Sequence, residues 1–207
     1  MKLIELLPKN LNYDFYRNLT PSRITFYYRQ IRLLLKYRTK LTFESLSVII
    51  EKNASIFIAP SARVNIGSRA CLRKGVDIEA HDEAVINIGN NFFINKNSSI
   101  IVRYGIDIGS DCMISDHVTI YDHDHEYRHK DIPFGNQGYV GRKIIIGNNV
   151  WIGSKVFIGK GVSIGDNVIV GANTTVTKSI SSNSIVHNKT ELVIRPFFMA
   201  DEKDPYL

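Results

Sequence analysis

The sequence predicts a mainly β chain wound into stacked triangular coils, a parallel β-helix, with an α-helical segment ahead of it and one long inserted loop. Three observations carry this reading. Aliphatic residues recur every six positions from Ile66 onward, eight of fifteen such residues are followed directly by glycine, and the longest interval between them, Ile120 to Ile146, is polar and rich in histidine. A period of six marks no single helix face, because it is not a multiple of 3.6, whereas six residues of extended chain make one short strand and one corner. Three such strands close a coil, so fifteen units make about five coils, stacked through parallel ladders ~4.8 Å apart.

Length and composition agree. At 207 residues, 44% apolar and 22% charged, the chain is one domain with room for an appendage, which excludes disordered, collagen-like and disulfide-framework classes. Cys71 and Cys112 stand far apart, leaving neither a disulfide scaffold nor a four-cysteine zinc site, and read as reduced cytoplasmic thiols. No apolar run approaches the ~20 residues of a membrane span, and Glu5 and Pro8 interrupt the stretch a signal peptide would need. A cytoplasmic protein is expected, with contact at the inner face of the cell membrane open to it.

Residues 1–45 form a basic N-terminal segment. They hold nine Lys/Arg against three Asp/Glu, and this accounts for the whole net charge of +6. Thr20-Pro21-Ser22 supplies an N-cap and a first-turn proline, so residues 21–38 read as a helix. Ile24, Tyr27, Ile31, Leu34 and Leu35 make its apolar stripe, with Arg23, Arg29, Arg32, Lys36 and Arg38 around it. Such a helix suits two tasks: covering the open end of the first coil, and meeting an anionic membrane face or a lipid-linked substrate.

Residues 46–187 form the coil domain and 188–207 a tail. The six-residue register breaks with steps of ten (Ile78 to Ile88), eight (Ile100 to Ile108) and twenty-six (Ile120 to Ile146), and breaks are where functional loops are inserted. The longest, within the loop 121–145, holds three of the six histidines, together with Pro133 and three glycines. His123 and His125 point to one side of an extended strand. A neutral imidazole there can take a proton from an attacking hydroxyl or amine. His129 reads as a loop residue, His81 lies in the ten-residue break, His117 falls on a corner, and His187 follows the last clear unit. Trp151 stands five places after Ile146, outside the inward positions, and so needs cover from outside the coil.

The run IGNNVWIGSKVFIGKGVSIGDNVIVGANTTVTK, with the spacing around it from residue 50 to 185, resembles the hexapeptide-repeat, left-handed β-helix acyltransferases. The Y-D-H-D-H at the loop entrance resembles sugar O-acetyltransferases of capsule and lipopolysaccharide. The resemblance implies left-handed coils, against the usual crossover hand, and a homotrimer with active sites between subunits. It implies acetyl-CoA as co-substrate, a sugar or polysaccharide acceptor, and neither a metal nor a nucleic-acid partner.

Position by position, the resemblance makes His125 the general base and His123 its competitor at the acceptor. Trp151 flanks the thioester and the Ser154 backbone N–H faces the developing oxyanion. Ala172 lies along the pantetheine arm, Lys178 near the coenzyme phosphates, and Asn95 at the acceptor sugar. The ending HNKTELVIRPFF departs from the family, which puts contacts to the adenine end in question. Cys112 occupies a small inward position, so direct transfer in a ternary complex is expected rather than a cysteine intermediate. Three other readings stand beside this one: N-acetylation of an amino sugar or nucleotide sugar, a zinc hydratase of the carbonic anhydrase type using His81, His117 and His123, and a non-catalytic scaffold.

Overall fold

The structure, a computed structural model, describes residues 23–189. The expected cap at Thr20-Pro21-Ser22 and the divergent ending from residue 190 lie outside the described residues. The chain forms a parallel β-helix whose three faces are sheets of six, seven and six strands. The first face runs from Leu41–Phe43 through Arg63–Ile66, Val85–Ile88, Ile106–Ile108 and Ile144–Ile146 to Ser163–Ile164. Register is continuous along it, with Leu41 beside Val64, Val64 beside Ile86, Ile86 beside Ile106, and Ile106 beside Ile144. Aliphatic side chains therefore stack in columns down the axis, where each contributes ~1.5–3 kcal/mol through burial.

The stack is six coils deep rather than five. The extra coil opens at Leu41 and uses Leu41, Ile50 and Ile56 as inward residues; none is followed by glycine, and the steps from Leu41 to Ile50 and from Ile56 to Ile66 are nine and ten residues, so the repeat that starts at Ile66 does not take them in. Two of the three breaks also have a different meaning from the one expected. Asp77–Ala80, Val85–Ile88 and Ser99–Val102 are four-residue strands, each with two inward side chains, whereas strands after residue 150 have two residues and one inward side chain. The ten- and eight-residue steps are thus wider coils. Only residues 122–143 leave the stack.

Corners turn through left-handed backbone at Asn53, Asn91, Asn97, Asn149, Asn167 and Asn173, which asparagine tolerates better than most residues. His117 holds the same conformation, at φ 57°, on the corner between the second and third faces. Phe92, fully buried at another corner, is stacked between Ala70 and Cys112, and the small residues on either side make its volume admissible. Burial pushes the Cys112 thiol up to about 11 and the Cys71 thiol up to about 12, so both stay protonated at neutral pH.

The helix Arg23–Tyr37 closes the N-terminal end. Ladder N–H groups point from each coil to carbonyls of the next, as in Ile49 to Ala70 and Ser55 to Val76, which leaves the first coil's own carbonyls unpaired at the open end. Helix side chains supply the donors: Gln30 Nε2 donates to the Val48 carbonyl, Arg29 Nη1 to Ile50 (3.1 Å) and Tyr37 Oη to Ile56 (2.8 Å). The sheet edge is covered, and three of its carbonyls find donors in the helix.

Candidate active site

The long loop leaves the coil at the corner between the third and first faces. After Thr119–Tyr121 the chain forms His123–His125, which pairs antiparallel with Tyr139–Gly141. The hairpin is held to the coil at Asp122, whose carboxylate is fully buried. Its oxygens accept backbone N–H groups from Arg103 (2.9 Å), Tyr104 (2.7 Å) and Gly105 (2.7 Å) of the preceding coil. Gly141 allows the return strand to pass, because a Cβ there would overlap the Asp122 carbonyl and the Tyr104 ring.

The same carboxylate faces His123 Nδ1 at 2.9 Å. A carboxylate only accepts, so Nδ1 of His123 is the donor, and in the neutral ring that tautomer leaves the lone pair on Nε2. The imidazole lies against Tyr121 (5.8 Å between centroids) and meets Tyr139 edge-on (5.2 Å). His125 is exposed on the same side of the strand, with its ring 4.6 Å from that of Tyr139. The Arg103 guanidinium stacks on Tyr139 at 3.6 Å and donates to Asp82 at 2.7 Å. Asp124 pairs with Lys160 below the hairpin.

Beyond the strands the loop is organised by two side chains. Gln137 clamps it, accepting from His129 N–H (3.0 Å) and donating to the carbonyls of His129 (2.9 Å) and Ile132 (2.6 Å). Glu126 accepts from the Arg128 guanidinium and from the backbone N–H groups of Tyr127 and Arg128, and the Arg128 hydrogen bond above all holds its carboxyl down at about 2. His129 thus contributes backbone to the loop closure.

Other expected site residues gather on a different corner, between the second and third faces. Asn95, Ser154 and Ala172 follow the strands Phe93–Ile94, Trp151–Ile152 and Ile169–Val170; the last two are in adjacent layers, and the layer of Met113–Ile114 separates them from the first. Ser154 Oγ donates to Asp116 at 2.7 Å, and that bond is the main cause holding the Asp116 carboxyl below its ordinary value. The Ser154 and Ala172 backbone N–H groups have no acceptor among the described residues. Trp151 projects outward from the adjoining face, its Nε1 3.4 Å from Ser115 Oγ. Lys178 stands at the hairpin corner, one coil past Lys160. One chain therefore holds the histidines and Lys178 at one edge, and Trp151, Ser154, Ala172 and Asn95 at another. His117 shares the second edge, away from His81 and His123, and His81 Nε2 is engaged by Glu79 at 2.6 Å.

Sequence reasoning missed Asp122, Arg103 and Tyr139. The Asp-His adjacency is visible in the sequence, but burial of the carboxylate depends on a coil nineteen residues earlier folding its N–H groups around it.

The outward residues differ between faces. On the first face Asn65, Asn87 and Asp107 form a hydrogen-bonded polar ladder ending at Lys143, suited to water. On the second, Phe93, Met113, Trp151 and Ile169 stand beside one another, with Met113 44% and Trp151 46% exposed.

These features define a hexapeptide-type parallel β-helix with a histidine hairpin at one corner. Family models agree: residues 143–178 match bacterial transferase hexapeptide (six repeats), and residues 85–121 match the hexapeptide repeat of succinyl-transferase. Two stretches of the coil, before and after the long loop, are thus similar to hexapeptide repeats of transferases. No curated protein shows significant sequence similarity to it. Among solved structures it is similar to a variant of AntD, an N-acyltransferase from Bacillus cereus in complex with dTDP and coenzyme A, at 22% identity and TM-score 0.61 over 77% of this chain and 84% of that one. A second AntD variant, in complex with dTDP-4-amino-4,6-dideoxyglucose and coenzyme A, gives 22% identity and TM-score 0.60 over 78% and 84%.

Proposed function

We propose that the protein is an acetyl-CoA-dependent O-acetyltransferase acting on a sugar hydroxyl of a bacterial surface polysaccharide or its precursor. The observation that carries the chemistry is the Asp122–His123 pair, a buried carboxylate fixing the tautomer of an imidazole on the loop hairpin. Nε2 takes the proton of the attacking hydroxyl as its oxygen bonds to the thioester carbon. The tetrahedral intermediate then expels the coenzyme thiolate, which receives that proton. A positioned base of this kind contributes ~10² to 10⁴-fold in rate.

Sequence resemblance gives the base to His125, whereas the hydrogen bond that His123 donates to Asp122 favours His123, with His125 beside it at the acceptor. Replacing each tests this. His123→Asn is expected to lower kcat by ~10² to 10⁴-fold with coenzyme binding retained, and His125→Ala by less than tenfold. The opposite pattern returns the role to His125.

The site is completed between copies of the chain. Trp151 and Ser154 stand on a different edge from the histidines, and the apolar outward column of the second face supports a homotrimer that buries it. Across that interface Trp151 would flank the thioester, and the Ser154 N–H would meet the oxyanion, a donor worth ~2.7–4 kcal/mol of transition-state stabilisation. Ala172 and Lys178 would follow the pantetheine arm and the phosphates, and Asn95 the acceptor. A second reading, N-acylation of a nucleotide-linked amino sugar, is favoured by the ligands of the AntD structures. An acceptor panel separates the two by whether an ester or an amide forms.

A further inference from the structure

The helix Arg23–Tyr37 has two faces and the coil uses one of them. Gln30, Leu34 and Tyr37 turn toward the first coil. On the outer face Tyr28, Ile31 and Leu35 are 65%, 52% and 73% exposed, and their spacing of three and four aligns them into one stripe. Leu46, whose carbonyl also faces Gln30, is 61% exposed at the same end of the molecule. Arg32, Lys36 and Arg38 flank the stripe, all exposed, and among the described residues none of them pairs with a carboxylate. Arg29, by contrast, is tied to the Ile50 carbonyl.

We propose that this outer face seats the protein on an anionic lipid bilayer, with Tyr28, Ile31 and Leu35 entering the headgroup boundary and Arg32, Lys36 and Arg38 meeting lipid phosphates. The arrangement is that of an interfacial helix, a polar face rich in cations beside an apolar one. The helix has 15 residues, and among the described residues no helix is long and apolar enough to cross a membrane, so it lies on the surface. Charge selects the occupant. A second copy packed on the same stripe would bring like cations together without counter-charge, and a nucleic acid would leave the apolar stripe in water. An anionic bilayer meets both parts. The inference is independent of the reaction proposed above.

Co-sedimentation of the full chain with unilamellar vesicles tests it, comparing phosphatidylcholine alone with a mixture containing phosphatidylglycerol. Binding to the anionic vesicles is expected to exceed binding to neutral ones at least tenfold and to weaken as salt is raised. Ile31→Glu with Leu35→Glu, at solvent-exposed positions, should abolish it while circular dichroism stays unchanged. Arg32→Ser with Lys36→Ser should lower it roughly tenfold or more, since each cation near the surface adds ~5-fold. Equal binding to both vesicle types, anionic binding untouched by the glutamate pair, or no sedimentation at all would overturn the proposal. Association into a larger oligomer through the stripe, detected by light scattering in place of vesicle binding, would likewise overturn it.

Discussion

Asp122 shows how one residue converts a loop into a candidate catalytic element. Its carboxylate accepts three backbone N–H groups and still reaches His123 Nδ1, so the hairpin's anchor to the coil is also the group that orients the imidazole. Glu126 acts further along the loop as a latch, with its carboxyl held at about 2, chiefly by Arg128. Because the folded value lies below the ordinary one of ~4.3, this latch is fully present above that pH and is lost as pH falls toward 2. The amide resonances of Tyr127 and Arg128 should therefore move toward random-coil positions between about pH 4.5 and 2. Glu126→Gln should show those shifts already at pH 7, and retention of native shifts by that variant would mean the carboxylate is not the latch. The histidines were legible in the sequence as polar residues at a register break. The carboxylate contact that distinguishes His123 from His125 was not, because the place of Asp122 depends on Arg103, Tyr104 and Gly105, which carry no motif.

At the scale of elements, the six-residue period read the coil correctly wherever strands are two residues long. It lost the thread where strands lengthen to four, because two inward residues per strand turn one step of six into eight or ten, as at Ile78 to Ile88. Of the three breaks, only the stretch holding the hairpin leaves the stack. The helix was legible through its stripe, yet its division into an inner face of Gln30, Leu34 and Tyr37 and an outer one of Tyr28, Ile31 and Leu35 depends on where the first coil's carbonyls lie. The second face of the coil carries its own prediction. Met113 stands between Phe93 and Trp151 in the exposed apolar column, so Met113→Glu places a charge where proposed partners meet. Light scattering should give a trimer for the native chain and a monomer with intact circular dichroism for the variant. A native chain already monomeric at micromolar concentration would remove the interface.

For the whole molecule, the architecture separates tasks along one axis. The N-terminal end is closed by a cationic helix, a middle coil carries the hairpin, and the corner holding Ser154 and Ala172 presents two N–H groups in adjacent layers that have no acceptor among the described residues. The histidines and Trp151 occupy different edges, so the proposed site would need two copies of the chain, and assembly and activity would be coupled. Coenzyme binding is the property on which the proposed reaction rests. Calorimetric titration of the full chain with acetyl-CoA is the most direct measurement. The account predicts saturable, micromolar binding at one site per chain, and the absence of any saturable heat or binding would contradict it.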